Sequence, residues 1–211
     1  MTLKQLQAEK RFSTDKDSPN HTWNDRSYLD CYDEMLPAVR EMQGNVLEIG
    51  VLFGGSIELW REYFPAWSNI VGIDIDPERK QFERLEKGIH VEIGSQADSD
   101  FLKSVCERCG PFKFIIDDGS HVLDHMLTSF DALWPSVVSG GIYAMEDMRI
   151  SYCGVDSGWP GMEHNPKREM RQNDRQKFNL WLLDKIKEMD HWTGQIRRID
   201  IHPMIIAFTK V

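Results

Sequence analysis

Short apolar runs alternate along most of this chain with stretches of helical periodicity. Runs at 45–49, 70–73, 90–93, 112–116 and 141–144 predict five strands, and segments at about 56–63, 77–86, 99–106 and 123–134 predict the helices between them. Such alternation implies a parallel sheet with helices on both faces. The unbroken run Phe114-Ile115-Ile116 reads as a strand buried on both sides. Before the first strand lie about 28 polar residues, read as an arm, and then a helix over 28–42 with apolar residues at 28, 32, 35, 36 and 39. Gly44 stands where that helix stops. After Asp147 the pattern breaks into a stretch at 148–173 rich in Gly, Pro, Asn and charge. A helix at 176–189 follows, then strands at 195–202 and 204–210, too close together for a helical crossover and therefore antiparallel. The expected architecture is a single α/β domain: a doubly wound, Rossmann-like sheet with a C-terminal antiparallel strand. Residues 1–44 form its arm and capping helix, and 148–180 a substrate lid.

Composition narrows the partners. The 211 residues carry a net charge of −9, which gives no counterion-release advantage on nucleic acid and repels anionic lipid. No apolar run approaches the ~20 residues that span a bilayer, and Met1-Thr2-Leu3-Lys4-Gln5 opens no signal segment. Four scattered Cys suggest reduced thiols and a cytoplasmic setting. Cys106-x-x-Cys109 has no second pair to complete a zinc site. A small-molecule acceptor is the expected partner, with homo-oligomerisation left open.

Every expected strand ends in polar chemistry, and open parallel sheets bind ligands beyond those ends. Gly50, Gly54 and Gly55 let the first turn approach a ligand closely. The spacing is not the dinucleotide fingerprint, because Leu52 stands at the second glycine, and no Lys-Ser/Thr makes a P-loop. A turn opened by Glu48 suits a cationic ligand, and Asp74 is placed to accept from ribose hydroxyls. Together they fit S-adenosylmethionine, with Glu48, Gly50, Ser56, Asp74, Ser95, Gln96 and Asp117 as its candidate contacts.

Asp118, Glu146 and Asp147 would place three hard oxygen ligands on the same rim, suited to Mg²⁺. Like charges packed there without a cation would be costly. His121, three residues after Asp118, is a candidate general base. His125, one helical turn on, and Trp159, in the long loop, are candidate substrate contacts.

Several of these segments carry a resemblance. Val46-Leu47-Glu48-Ile49-Gly50-Val51, Gly54-Gly55-Ser56, Gly72-Ile73-Asp74-Ile75-Asp76, Ile116-Asp117-Asp118-Gly119-Ser120-His121 and Glu146-Asp147 resemble the class I methyltransferases of the macrocin and mycinamicin type. Thr14-Asp15-Lys16, with Tyr28 and Tyr32 after it, resembles that family's segment before the first strand. The likeness covers roughly 14–147 and the terminal hairpin. On this resemblance the large extra N-terminal domain of those enzymes is expected to have no counterpart among these 211 residues, and 148–180 stands outside the match. The resemblance implies O-methylation of a macrolide-type sugar hydroxyl, the same three metal positions, and His121 as the base. Two rivals remain on the same scaffold: methylation of a carboxylic acid or catechol, and a cofactor-binding module without catalysis. The second would have no use for the Asp118/His121/Glu146/Asp147 cluster. A hydroxylase of this fold is an outlying third.

Overall fold

A computed structural model describes residues 1–18, 25–148, 174–191, 193–202 and 204–211. Seven strands form one sheet: β1 (Asn45–Ile49), β2 (Ile70–Asp74), β3 (Ile89–Ile93), β4 (Phe112–Asp117), β5 (Val137–Met145), β6 (Ile196–His202) and β7 (Ile205–Lys210). Their order is β3-β2-β1-β4-β5-β7-β6. The first five pair in parallel, and β7 lies antiparallel between β5 and β6. This is the doubly wound sheet with a reversed C-terminal edge that the hydrophobic pattern predicts. Its direction switches between β1 and β4, and ligands of such sheets bind at that crevice.

Successive strand residues point to opposite faces, so each strand feeds two cores. Val46, Ile70, Phe114, Ile116 and Ala144 pack with α2 (Tyr28–Met35) and α3 (Gly55–Tyr63) on one face. Leu47, Val71, Ile115, Tyr143 and Phe208 pack with α4 (Ser99–Cys109), α5 (Leu123–Leu133) and α6 (Asp174–Asp190) on the other. Edge-to-face rings lock the first core, with Tyr32, Trp60 and Phe114 mutually 5.4–5.9 Å apart.

Three elements differ from expectation, each for a local reason. The polar arm contains a helix, α1 (Leu3–Lys10), that shows little amphipathic pattern. It is held by a capping box between Thr2 and Gln5. Asp33 of α2 also accepts from the backbone of Leu3 and Lys4 at 2.6 and 3.2 Å. The helix expected over 28–42 ends at Met35 and tightens into a 3₁₀ turn over Leu36–Ala38, where Pro37 falls. The helix expected at 77–86 is instead a pair of 3₁₀ turns, Pro77–Phe82 and Leu85–Lys87. Neither has a fully buried side chain, and Phe82 alone packs in part against the core, too little apolar contact to stabilise an α-helix there. The segment expected to be a lid, beyond Met148, and with it Trp159, lies outside the described residues up to Asp174.

Candidate active site

A cavity of about 750 Å³ opens at the carboxyl ends of β1–β4. Its floor is the turn after β1, which the glycines shape. Gly50 has φ +95°, and a Cβ there would stand 2.2 Å from the backbone oxygen of Asp118. The turn after β4 is thus pressed onto β1, where the amide of Asp118 donates to Ile49 O at 3.0 Å. Leu52, at the position where a dinucleotide motif has glycine, itself holds a left-handed φ of 49°. At Gly55 a Cβ would meet Ser13 O at 2.0 Å, so the N-terminal arm runs directly over the start of α3. Ser13, Thr14 and Asp15 consequently line the cavity.

Of the residues expected to hold a nucleoside cofactor, Gly50, Ser56, Asp74, Ser95 and Gln96 line this cavity. Asp74 also organises it. Its Oδ2 accepts from the amides of Val51 and Leu52 at 2.9 and 3.2 Å, and its Oδ1 from the amide of Asp76 at 2.9 Å. Gln96 is largely engaged by protein. Its Nε2 donates to Asp117 Oδ1 and Ser129 Oγ at 3.0 and 3.1 Å, and its Oε1 accepts from the Ser120 amide at 2.5 Å. Glu48 and Asp117 are fully buried behind the wall. Burial pushes the Asp117 carboxyl up to about 6, against the pull of Gln96 and Tyr143, whose hydroxyl lies 3.2 Å from Oδ2. Glu48 Oε2 accepts from Ser56 Oγ at 2.6 Å.

The carboxylates expected to bind metal divide into two groups. Glu146 is buried and faces inward, with Lys16 Nζ at 2.8 Å and the Tyr32 hydroxyl donating to its Oε1. Asp118 and Asp147 face the cavity with His121. Their ligand atoms lie within 4.8 Å of one another, and among the described residues these three form the one cluster suited to a metal ion. His121 Nε2 is 3.4 Å from Asp147 Oδ2 and 4.0 Å from Asp118 Oδ1. Its Nδ1 is buried with no hydrogen-bond partner among the described residues. His125 also lines the cavity, its Nδ1 3.0 Å from Ser120 Oγ.

Lys16 has no assigned role in the reading from sequence. Its ammonium is buried and lies 2.8–3.3 Å from Glu48, Asp118 and Glu146. Burial disfavours this cation, but the three carboxylates outweigh that and hold its pKa well above the ordinary lysine value. A cation is therefore needed among these strand ends, and the chain supplies one. Tyr28 is a second addition, its hydroxyl donating to Asp147 Oδ1 at 2.5 Å. The available signal was the i, i+4 spacing of Tyr28 and Tyr32, which points both rings to one side of α2.

The sheet order and its reversed C-terminal edge are those of the Rossmann-like class I methyltransferase fold. An O-methyltransferase from Bacillus cereus in complex with SAH shares this fold at 16% identity, with a TM-score of 0.58 over 99% of this chain and 89% of that one. More specifically, the chain is similar to sugar O-methyltransferases of natural-product pathways. It is 40% identical over 133 residues to an 8-demethyl-8-(2-methoxy-alpha-L-rhamnosyl)-tetracenomycin-C 3'-O-methyltransferase of Streptomyces olivaceus, covering 60% of this chain and 33% of that enzyme. It is 40% identical over 137 residues to the mycinamicin VI 2''-O-methyltransferase of Micromonospora griseorubida, covering 62% of this chain and 32% of that enzyme. The MycE methyltransferase of mycinamycin biosynthesis, solved with Mg, SAH and mycinamycin VI, superposes with a TM-score of 0.75 at 30% identity over 100% of this chain and 54% of that one. The chain therefore spans about a third of the curated relatives' length and about half of MycE's. No protein-family model matches it.

Proposed function

We propose that this chain is an S-adenosylmethionine-dependent, Mg²⁺-assisted O-methyltransferase acting on a hydroxyl of a sugar or glycosylated natural product. One observation carries the reading. Asp118, His121 and Asp147 converge at the mouth of a cavity whose other walls are the turns after β1, β2 and β3. Similarity to sugar O-methyltransferases over 133–137 residues supports the acceptor class.

The residues fit both groups. Asp74, Ser56 and the glycine turn offer acceptors and close backbone approach for a nucleoside. Asp118 and Asp147 each present an oxygen, and Mg²⁺ is commonly held by one or two carboxylates with water and substrate completing the shell. When bound, the cofactor would supply an electrophilic methyl group and the metal would lower the pKa of an acceptor hydroxyl. The chain's own part is proton transfer and positioning. His121 takes the acceptor proton at Nε2, and the imidazolium so formed is stabilised by Asp147 Oδ2 at 3.4 Å. The cavity walls hold the acceptor oxygen in line for attack, which supplies much of the rate. No described helix is long and apolar enough to cross a membrane.

The test is a mass-shift assay with S-adenosylmethionine across rhamnosides, macrolide glycosides, catechols and carboxylic acids, in EDTA and in Mg²⁺. Methylation of a glycoside that EDTA abolishes and Mg²⁺ restores is expected. Full activity in EDTA removes the metal from the reading, and turnover confined to carboxylic acids replaces the acceptor class.

A further inference from the structure

Each of the two carboxylates that face His121 has one oxygen occupied from outside the sheet. Asp118 Oδ2 accepts from Lys16 Nζ at 2.8 Å, and its Oδ1 is the oxygen nearest His121. Asp147 Oδ1 accepts from the Tyr28 hydroxyl at 2.5 Å, and its Oδ2 is the oxygen nearest His121. Lys16 belongs to the arm and Tyr28 opens α2, so both donors come from the segment that precedes the sheet. We propose that Lys16 and Tyr28 are positioning residues for a divalent cation: each ties back one oxygen of a carboxylate and leaves the other turned toward the shared position beside His121. The proposal rests on the metal-assisted reading above.

The physical argument begins with the carboxylate itself. A free aspartate rotates about its last bond and presents either oxygen, or both. A donor fixed on one oxygen leaves a single oxygen for coordination, which suits a small cation demanding near-octahedral geometry. Outer hydrogen bonds of this kind orient metal ligands and tune their affinity by 10–100-fold. Lys16 has a further consequence for charge. It absorbs the negative charge of Glu146 as well as sharing Asp118, so a metal ion has less uncompensated anion to attract than the sequence suggests. Selection of the cation then depends on geometry more than on bulk charge. The arm and α2 thereby become part of the site.

Mn²⁺ binding to the purified full chain, followed by the loss of free-ion paramagnetic signal, tests this directly. SAH affinity by calorimetry and the unfolding midpoint are measured alongside. Tyr28→Phe removes one hydroxyl and is expected to weaken Mn²⁺ binding roughly 10-fold while leaving the SAH Kd and the midpoint near wild type. Lys16→Arg keeps the positive charge but replaces the ammonium donor on Asp118 Oδ2 with a differently shaped one, and is expected to weaken Mn²⁺ binding by a similar factor. Wild-type Mn²⁺ affinity in Tyr28→Phe, with affinity lost in Asp147→Asn, overturns the positioning role and leaves the metal reading standing. A wild-type chain that binds no Mn²⁺, with or without SAH, overturns the metal reading and the positioning role with it. If Lys16→Arg fails to fold, Tyr28→Phe alone decides between these outcomes.

Discussion

His121 and Asp147 meet with 3.4 Å between Nε2 and Oδ2, and both hold left-handed backbones, at φ of 53° and 55°. Non-glycine residues in that region are uncommon and concentrate where surrounding structure over-determines them, as at active sites. Two strand-end turns thus bend out of the ordinary backbone regions to bring one imidazole against one carboxylate.

That pairing fixes the first expectation. His121→Ala removes the proton acceptor without disturbing the cavity wall at Asp74. Turnover on an accepted glycoside should fall by roughly 10²–10⁴-fold, while the SAH Kd measured by calorimetry stays within about twofold. Wild-type turnover in this variant would indicate an acceptor that arrives already ionised.

Asp74 should matter for cofactor affinity. It both faces the cavity and anchors the amides of Val51 and Leu52. Asp74→Ala is expected to weaken SAH binding by about 1.5–3 kcal/mol, the range for hydrogen bonds to a charged group. Unchanged calorimetric affinity would remove the nucleoside from this wall.

Asp117 should leave a mark on stability against pH. Its carboxyl has an ordinary pKa of 3.8 and is raised to about 6 in the fold. The native state therefore binds this proton more tightly than the unfolded chain does. Its contribution favours folding at low pH and is lost as pH rises from about 4 through 6. At 1.36 kcal/mol per pH unit the full swing is up to ~3 kcal/mol. Asp117→Asn cannot titrate, so its stability relative to wild type should improve as pH rises across that window. Parallel denaturant curves at pH 4 and pH 7 would check this, and a constant difference would place Asp117 in a more polar setting.

Gly50 should tolerate no side chain. The φ of +95° and the 2.2 Å approach to the Asp118 backbone oxygen both oppose one. Gly50→Ala is expected to cost about 1–3 kcal/mol, or roughly 2–4 °C of unfolding midpoint for each kcal/mol at this chain length. A midpoint equal to wild type would mean that the two turns separate freely.

The sheet was legible because β1–β4 are short, largely apolar runs of Val, Ile and Phe, each running into a turn with Gly or polar residues, a signal that survives without tertiary information. The terminal hairpin followed from the shortness of its connection. The cavity-facing residues Asp74, Asp118 and His121 were legible by position alone, since strand ends of such sheets share one rim. What was not legible depends on contacts distant in sequence. Lys16 reaches Glu146 across 130 residues, and a single lysine in a polar arm carries no periodicity to mark it. Glu146 and Asp147 are adjacent, yet beyond the end of β5 the backbone turns at Asp147, with φ of 55°, and one side chain meets Lys16 while the other lines the cavity. Sequence proximity alone makes them look equivalent. Helix α1 was hidden for a related reason: its stability comes from Asp33 and its capping box, not from an apolar stripe.

The contact between Gly55 and Ser13 O has a consequence for chimeras and for comparison among related chains. The missing side chain at 55 is space that the arm occupies, so residue 55 records which path the arm takes. Exchange of the arm alone for that of a relative should fail wherever the two disagree at this position. The arm and the β1–α3 turn should be transplanted as one piece.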